Sequence, residues 1–159
     1  MSDFSHLDTA GRVRMVDVSA KPVSDRQAVA GASLHMAEAT FRAIANGETA
    51  KGDIFATARI AGILAAKRTH ELIPLCHPLA LSDISVDFEA DAAGPAIHIR
   101  SACRVAGRTG VEMEALTAAS VAALTLYDMC KALDREMRIT DVHLIEKAGG
   151  RSGPFRASR

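Results

Sequence analysis

The stretch GVEMEALTAASVAALTLYDMCKALDRE, Gly110 to Glu136, is the longest helical pattern in the chain, and its middle is alanine-rich and almost wholly apolar. Glu112 and Glu114 stand at its start and Lys131 and Arg135 at its end, the order of charges that suits a helix dipole. A helix that is apolar nearly all round has to be buried on most sides. Other elements must therefore enclose it.

Those elements are legible. Ile84, Val86 and Phe88 alternate with polar residues, and after the turn-like ADAAGP the positions Ile97, Ile99, Ser101, Cys103 and Val105 alternate with His98, Arg100 and Arg104. The pattern predicts a hairpin. RVRMVDVS from Arg12, RQAVAGASLHM from Arg26 and RITDVHLIEK from Arg138 read as further strands. Two more helices are expected. AEATFRAIANG presents Phe41, Ile44 and Ala45 and stops at Asn46 and Gly47. DIFATARIAGILAAKRTHEL begins at the N-cap Asp53, spaces Ile54, Ala58, Ala61 and Ala65 by three or four, and ends before Pro74. Strands and helices in this mixed order give an α+β fold with one antiparallel sheet packed against helices. With 159 residues one domain over 1–159 is expected, and 1–12 and the glycine-rich basic tail 148–159 are expected to be flexible.

Charge and composition remove whole classes of function. Lys plus Arg number 19 and Asp plus Glu also 19, so no global field favours nucleic acid or an anionic membrane. One Tyr and no Trp leave no base-stacking platform. No apolar run reaches membrane-spanning length and the start MSDFSHLDTAGR lacks a leader pattern, which together point to the cytoplasm. The three cysteines, Cys76, Cys103 and Cys130, are too far apart and too few for a disulfide framework and are expected as free thiols.

Four stretches could carry chemistry. LIPLCHPLALS sets Cys76 and His77 side by side between prolines, but a zinc site needs three or four converging ligands, and His70 is the sole nearby addition. Neighbours in an extended segment also point to opposite sides, which argues against a nucleophile–base pair. Taken alone the stretch reads as a rigid loop with a packed thiol. Lys51 precedes the helix start at Asp53, where free N–H groups gather anions, and Arg104 and Arg108 precede the start of the long helix. A solvated lysine and dipole-complementing glutamates are the ordinary accounts of these positions. Asp128 and Lys131, three apart on one helix face, can meet and tune each other's pKa, or simply form a surface ion pair. Glu114 and Asp128 lie fourteen residues apart on one helix, roughly 21 Å at 1.5 Å per residue. They can serve one small site only if two copies of the helix contribute opposite ends of it.

Taken together, MVDVSAK, KGDIFATARIAGILAAKRTHELIPLCHPL, TGVEMEALTAASVAALTLYDMCKA and KAGGRSG resemble the MoaC family, the cyclic pyranopterin monophosphate synthases of molybdenum cofactor biosynthesis. The likeness runs from about Met15 to Gly153. It implies a ferredoxin-like α+β fold, a homohexamer built as a trimer of dimers, and active sites at subunit interfaces. It implies a phosphorus–oxygen lyase that converts 3′,8-cyclo-7,8-dihydroguanosine 5′-triphosphate, the product of a preceding radical enzyme, to cyclic pyranopterin monophosphate and pyrophosphate. By motif, Asp128, Lys131 and Lys51 fall on catalytic positions. Leu75, Cys76, His77, Met113 and Glu114 fall on substrate-binding positions, with Glu112 beside them.

The expected chemistry is proton transfer by the two lysines, their pKa values brought toward neutrality, with Asp128 orienting Lys131 or shuttling protons. Lys67, Arg104, Arg108, Lys147 and the backbone of AGGRSG are candidates to hold the triphosphate. No metal site and no resident cofactor are expected; a divalent ion can ride on the triphosphate. A ligand-storage module, a metal-dependent hydrolase using His70, Cys76 and His77, and a structural oligomer are the rival readings.

Overall fold

In a computed structural model the described residues are 10–49 and 51–158. Five strands, β1 (Ser24–His35), β2 (Asp83–Asp91), β3 (Ala96–Gly107), β4 (Arg138–Ala148) and β5 (Phe155–Arg156), form one sheet in the order β2-β3-β1-β4-β5. Every neighbouring pair is antiparallel. The helices are α1 (Glu38–Ala45), α2 (Ile54–Lys67), the single turn α3 (Thr69–Leu72) and α4 (Glu112–Cys130). Strand–helix–strand–strand–helix–strand connectivity with β1 and β3 central is the ferredoxin-like arrangement, to which β5 adds a short edge.

The sequence pattern explains why the layers close. Ala28, Ala30, Ala32 and Leu34 of β1 and Ile97, Ile99, Ser101, Cys103 and Val105 of β3 are all buried. Alternate residues of a strand share a face, so this is the face that α4 covers with Ala115, Ala118, Ala119, Ala122 and Ala123. Small residues on both sides let the helix axis come close to the sheet. Ser101, polar in an otherwise apolar row, donates its Oγ to the Ala115 carbonyl at 2.7 Å and so costs the core little.

Helix α2 lies against α4 with equal economy. A Cβ on Gly62 would stand 2.9 Å from the Ala118 carbonyl oxygen, 3.1 Å from Val86 and 3.3 Å from the Ala122 Cβ. Only glycine fits that contact. Asp53 caps α2 by accepting from the Ala56 N–H at 2.9 Å. The Phe55 and Phe88 rings lie 5.2 Å apart, and Arg59 donates to the Val86 carbonyl at 2.9 Å, which fastens the helix to the edge strand β2.

Several expectations need correction. RVRMVDVS is not a strand: apart from a single bridge at Val13 the segment is irregular. Its Val13 and Met15 are exposed, so its alternation marks no sheet face. The long second helix breaks at Arg68, whose φ of −114° and ψ of 14° leave the helical region, before α3. Helix α4 ends at Cys130, so Lys131 caps it and Arg135 lies outside. Ala45 is exposed, whereas Phe41 and Ile44 are buried with Thr40. The expected flexible start falls largely on residues 1–9, outside the described residues. The glycine-rich tail turns back and pairs Phe155 and Arg156 with Lys147 and Glu146 of β4.

Overpacking at the α2–α4 contact gives a direct test of this packing. Gly62→Val should destabilise the protein by about 1–3 kcal/mol in urea unfolding, because the Ala118 carbonyl is backbone and cannot swing aside. An unchanged midpoint would mean the helices do not meet there.

Candidate functional site

The antiparallel run of α2 against α4 sorts the candidate residues into two groups. Lys51, just before α2, reaches the C-terminal end of α4 and donates from Nζ to the Asp128 carbonyl at 2.9 Å, with its ammonium 3.7 Å from the Asp128 carboxylate. Lys131 lies 2.7 Å from the other carboxylate oxygen. Sequence spacing foresaw the second contact; the first joins residues 77 apart and depends on how the two helices pack.

The electrostatics of this cluster depart from the sequence-based expectation. The hydrogen bond and charge of Lys131, with Lys51 behind them, hold the Asp128 carboxyl below the usual carboxylate range. In return Asp128 raises the Lys131 ammonium above its ordinary value. Lys131 was expected to be brought toward neutrality. In the single subunit it is half exposed, and the hydrogen bond and charge of Asp128 outweigh the lowering effect of burial.

At the opposite end, the start of α4 opens between two adjoining cavities. One, of about 350 Å³, is lined by Leu75, Cys76, His77, Glu112, Met113 and Glu114, with Val16 and Val18 of the irregular N-terminal segment over it. A turn, closed by the Cys76 N–H on the Ile73 carbonyl at 3.1 Å, precedes the loop. Cys76 and His77 both line this cavity, contrary to the opposite sides expected of an extended segment. His77 donates from Nε2 to the Val16 carbonyl at 2.9 Å, so it also pins the N-terminal segment across the cavity. All three cysteines are free thiols.

Glu114 is the unusual group here. It is 4% exposed, and burial, with the Glu112 charge adding to it, pushes its pKa up to about 7 against the pull of a backbone N–H bond. Burial and the Glu114 charge likewise raise the Cys76 thiol, which disfavours its thiolate form.

The second cavity, of about 660 Å³, shares Lys21, Thr109, Gly110 and Glu112 with the first. It holds Arg108 and Lys147 and is walled by the glycine-rich segment. Lys147 pairs with Glu112 at 2.9 Å, and Arg108 donates to the Ser19 carbonyl at 2.9 Å. Arg104 faces a neighbouring cavity with Asp25 and Ser82. Lys67 closes α2 at this same end of the layer but lines none of these cavities. Sequence reasoning passed over Lys21, Ser24 and Arg26 and did not single out Arg151 within its segment, although all four line this cavity.

The MoaC family's sequence pattern matches residues 15–150, a span that contains Lys51, Asp128 and Lys131 at one end of α4 and all the lining of the smaller cavity at the other. This chain belongs to the MoaC family. It is 57% identical over 155 residues to the cyclic pyranopterin monophosphate synthase of Roseiflexus sp. (strain RS-1), with 98% of each chain covered. A protein of the same name from Roseiflexus castenholzii (strain DSM 13941 / HLO8) is 57% identical over 153 residues, covering 96% of this chain and 97% of its own.

Within this MoaC-family chain no helix of the described residues is long and apolar enough to cross a membrane. The buried Glu114 gives the fold a pH signature. A carboxyl whose folded pKa is about 7, against an ordinary 4.5, binds its proton more tightly when folded. Its stabilising contribution is complete below pH 4.5 and is lost as the pH rises to 7. Thermal melts across that window should therefore show Glu114→Gln gaining on wild type as pH rises, then running parallel above it. Curves parallel throughout would contradict the burial argument.

Proposed function

We propose that this chain is a cyclic pyranopterin monophosphate synthase. It converts 3′,8-cyclo-7,8-dihydroguanosine 5′-triphosphate to cyclic pyranopterin monophosphate and pyrophosphate, in the cytoplasm, on the product of a preceding radical enzyme. The observation that carries this reading is the near-full-length identity of 57% to relatives bearing that name.

The two groups of residues support a site made by two subunits. Glu114 and Asp128 sit at opposite ends of α4, roughly 21 Å apart by helix rise. A second copy related by a two-fold axis across the middle of α4 would bring the Lys51, Asp128 and Lys131 end of one subunit to the cavity end of the other, and would do so twice. This is the dimer unit of the proposed homohexamer. Leu75, Cys76, His77, Met113 and Glu114 would then receive the pterin-forming ring system, with Glu114 able to exchange a proton near neutrality. Arg108 and Lys147, with Glu112 adjusting Lys147, would face the phosphates. Lys67 and Arg104 have weaker support, since they line neither of the two adjoining cavities.

The chemistry needs proton transfers during ring opening and ring formation, then attack of a sugar hydroxyl oxygen on the α-phosphorus. That P–O bond forms as the bond to the β-phosphate oxygen breaks; the hydroxyl proton passes to a base and pyrophosphate leaves. Asp128, held ionised by two ammonium groups, suits an orienting or accepting role, and Lys131 a donating one. A charged Lys51 beside them would also favour the negative charge that builds on the phosphoryl oxygens. No resident cofactor is assigned, because acid–base groups and cations serve all these steps; a divalent ion would arrive on the triphosphate.

Turnover tests the reading. Purified protein given the cyclic dihydroguanosine triphosphate should release pyrophosphate and form a product that oxidises to a fluorescent pterin. Asp128→Ala should fold and assemble normally yet lose at least 100-fold in kcat. No product from folded wild type would refute the assignment.

A further inference from the structure

The smaller cavity is closed on one side by chain that belongs to no regular element. Residues 16–19 lie in neither strand nor helix, yet Val16 and Val18 line the cavity and are half-buried, while Asp17 and Ser19 are exposed. A strap without a ladder of backbone bonds keeps one position only if side chains hold it. Three do. His77 and Arg108 reach it from the body of the subunit and donate to the Val16 and Ser19 carbonyls, each at 2.9 Å. Asp17 holds it from within, one carboxylate oxygen accepting from the Ser19 N–H at 2.9 Å and from the Ser19 Oγ at 2.6 Å. These bonds from Ser19 keep the Asp17 carboxyl below the usual carboxylate range, so the turn retains an anionic acceptor. The Lys21 N–H on the Val18 carbonyl, at 3.0 Å, continues the turn.

The strap decides what His77 can offer to a ligand. A carbonyl oxygen only accepts, so the Nε2 that faces Val16 carries a proton. In the neutral ring the lone pair is then on Nδ1, which has no hydrogen-bond partner among the described residues. His77 lines the cavity with Met113 and Glu114, so this bare acceptor belongs to the wall on which a ligand would rest. Released from Val16, the ring could carry its proton on either nitrogen and turn about its side-chain bonds. Its hydrogen-bonding character in the cavity would no longer be fixed.

We propose that Asp17 is a positioning residue for the ring-binding half of the site. It folds residues 16–19 so that the Val16 carbonyl fixes His77 with its proton on Nε2. Nδ1 is thereby kept as an acceptor for an N–H group of the bound ring, and Val16 and Val18 supply apolar contact beside it. The assignment rests on the synthase reading for the identity of that ring, a guanine-derived system rich in N–H donors. The cavity itself calls only for a ligand with such a donor. A ring that offered only acceptors would set lone pair against lone pair at Nδ1, so the strap also selects against it.

The test joins kinetics to a direct view of the imidazole. Nitrogen NMR of the purified protein with isotopically labelled histidine separates a protonated ring nitrogen from one bearing a lone pair, and His77→Gln identifies the His77 signals among the six histidines. Wild type should show Nε2 protonated and Nδ1 bare. In Asp17→Ala the two signals should move toward a mixture of tautomers, and KM for the cyclic dihydroguanosine triphosphate should rise about tenfold with kcat within about threefold of wild type. Asp17→Asn, whose amide oxygen still accepts from Ser19, should restore both. A His77 proton found on Nδ1 in wild type, an unchanged KM in Asp17→Ala, or an equal loss in Asp17→Asn would overturn the assignment. Failure of the synthase reading looks different: wild type forms no pterin product, although His77 carries its proton on Nε2 and responds to Asp17→Ala as expected.

Discussion

Helix α2 can approach α4 closely only because position 62 has no side chain, with Ala118 and Ala122 opposite it. That contact sets the spacing of the helical layer, and both ends of the layer inherit it. At one end it brings Lys51 to Asp128. At the other it settles where the loop after α3 can place Leu75, Cys76 and His77 against the start of α4. Alanines on β1 and α4 do for the helix–sheet contact what Gly62 does between helices, so both faces of α4 that meet other elements are lined largely by small residues.

The two ends have opposite electrostatic character. Asp128, Lys51 and Lys131 form an exposed cluster in which Asp128 and Lys131 favour each other's charged forms. Glu114 is buried near neutrality of its titration, in a cavity that continues into one lined by five cations. One subunit thus carries half-exposed acid–base groups at one end of α4 and a cavity at the other. The proposed two-fold pairing across α4 would bring the two ends together, and the exposed Ile60, Leu64 and Leu124 of the two helices offer apolar surface for it.

Much of the fold was legible because alternation and helical spacing report burial directly. The period alone puts Ile97, Ile99, Ser101, Cys103 and Val105 on one face, and Asp53 ahead of an apolar helical run is legible as the cap that accepts from Ala56. Residues 12–19 failed because valines at alternate positions resemble a strand even when they cover a cavity mouth, as Val16 and Val18 do. The Asp128–Lys131 pair could be read from its spacing, whereas Lys51 joined it through tertiary packing that no local pattern encodes. Lys21, Ser24 and Arg26 were missed for a similar reason. Each looks like an ordinary polar residue at a strand edge, and only the return of Gly149 to Ser152 across β1 turns them into a cavity wall.

In the proposed assembly each site takes one end of α4 from one subunit and the other end from its partner. Co-expressing two variants tests it: Asp128→Ala, damaged at one end, and Glu114→Gln, damaged at the other, each deeply impaired alone. Random two-fold pairing should give mixed dimers with one intact site each and restore about a quarter of wild-type turnover. A co-expressed oligomer no more active than either variant alone would show that the site lies within one subunit.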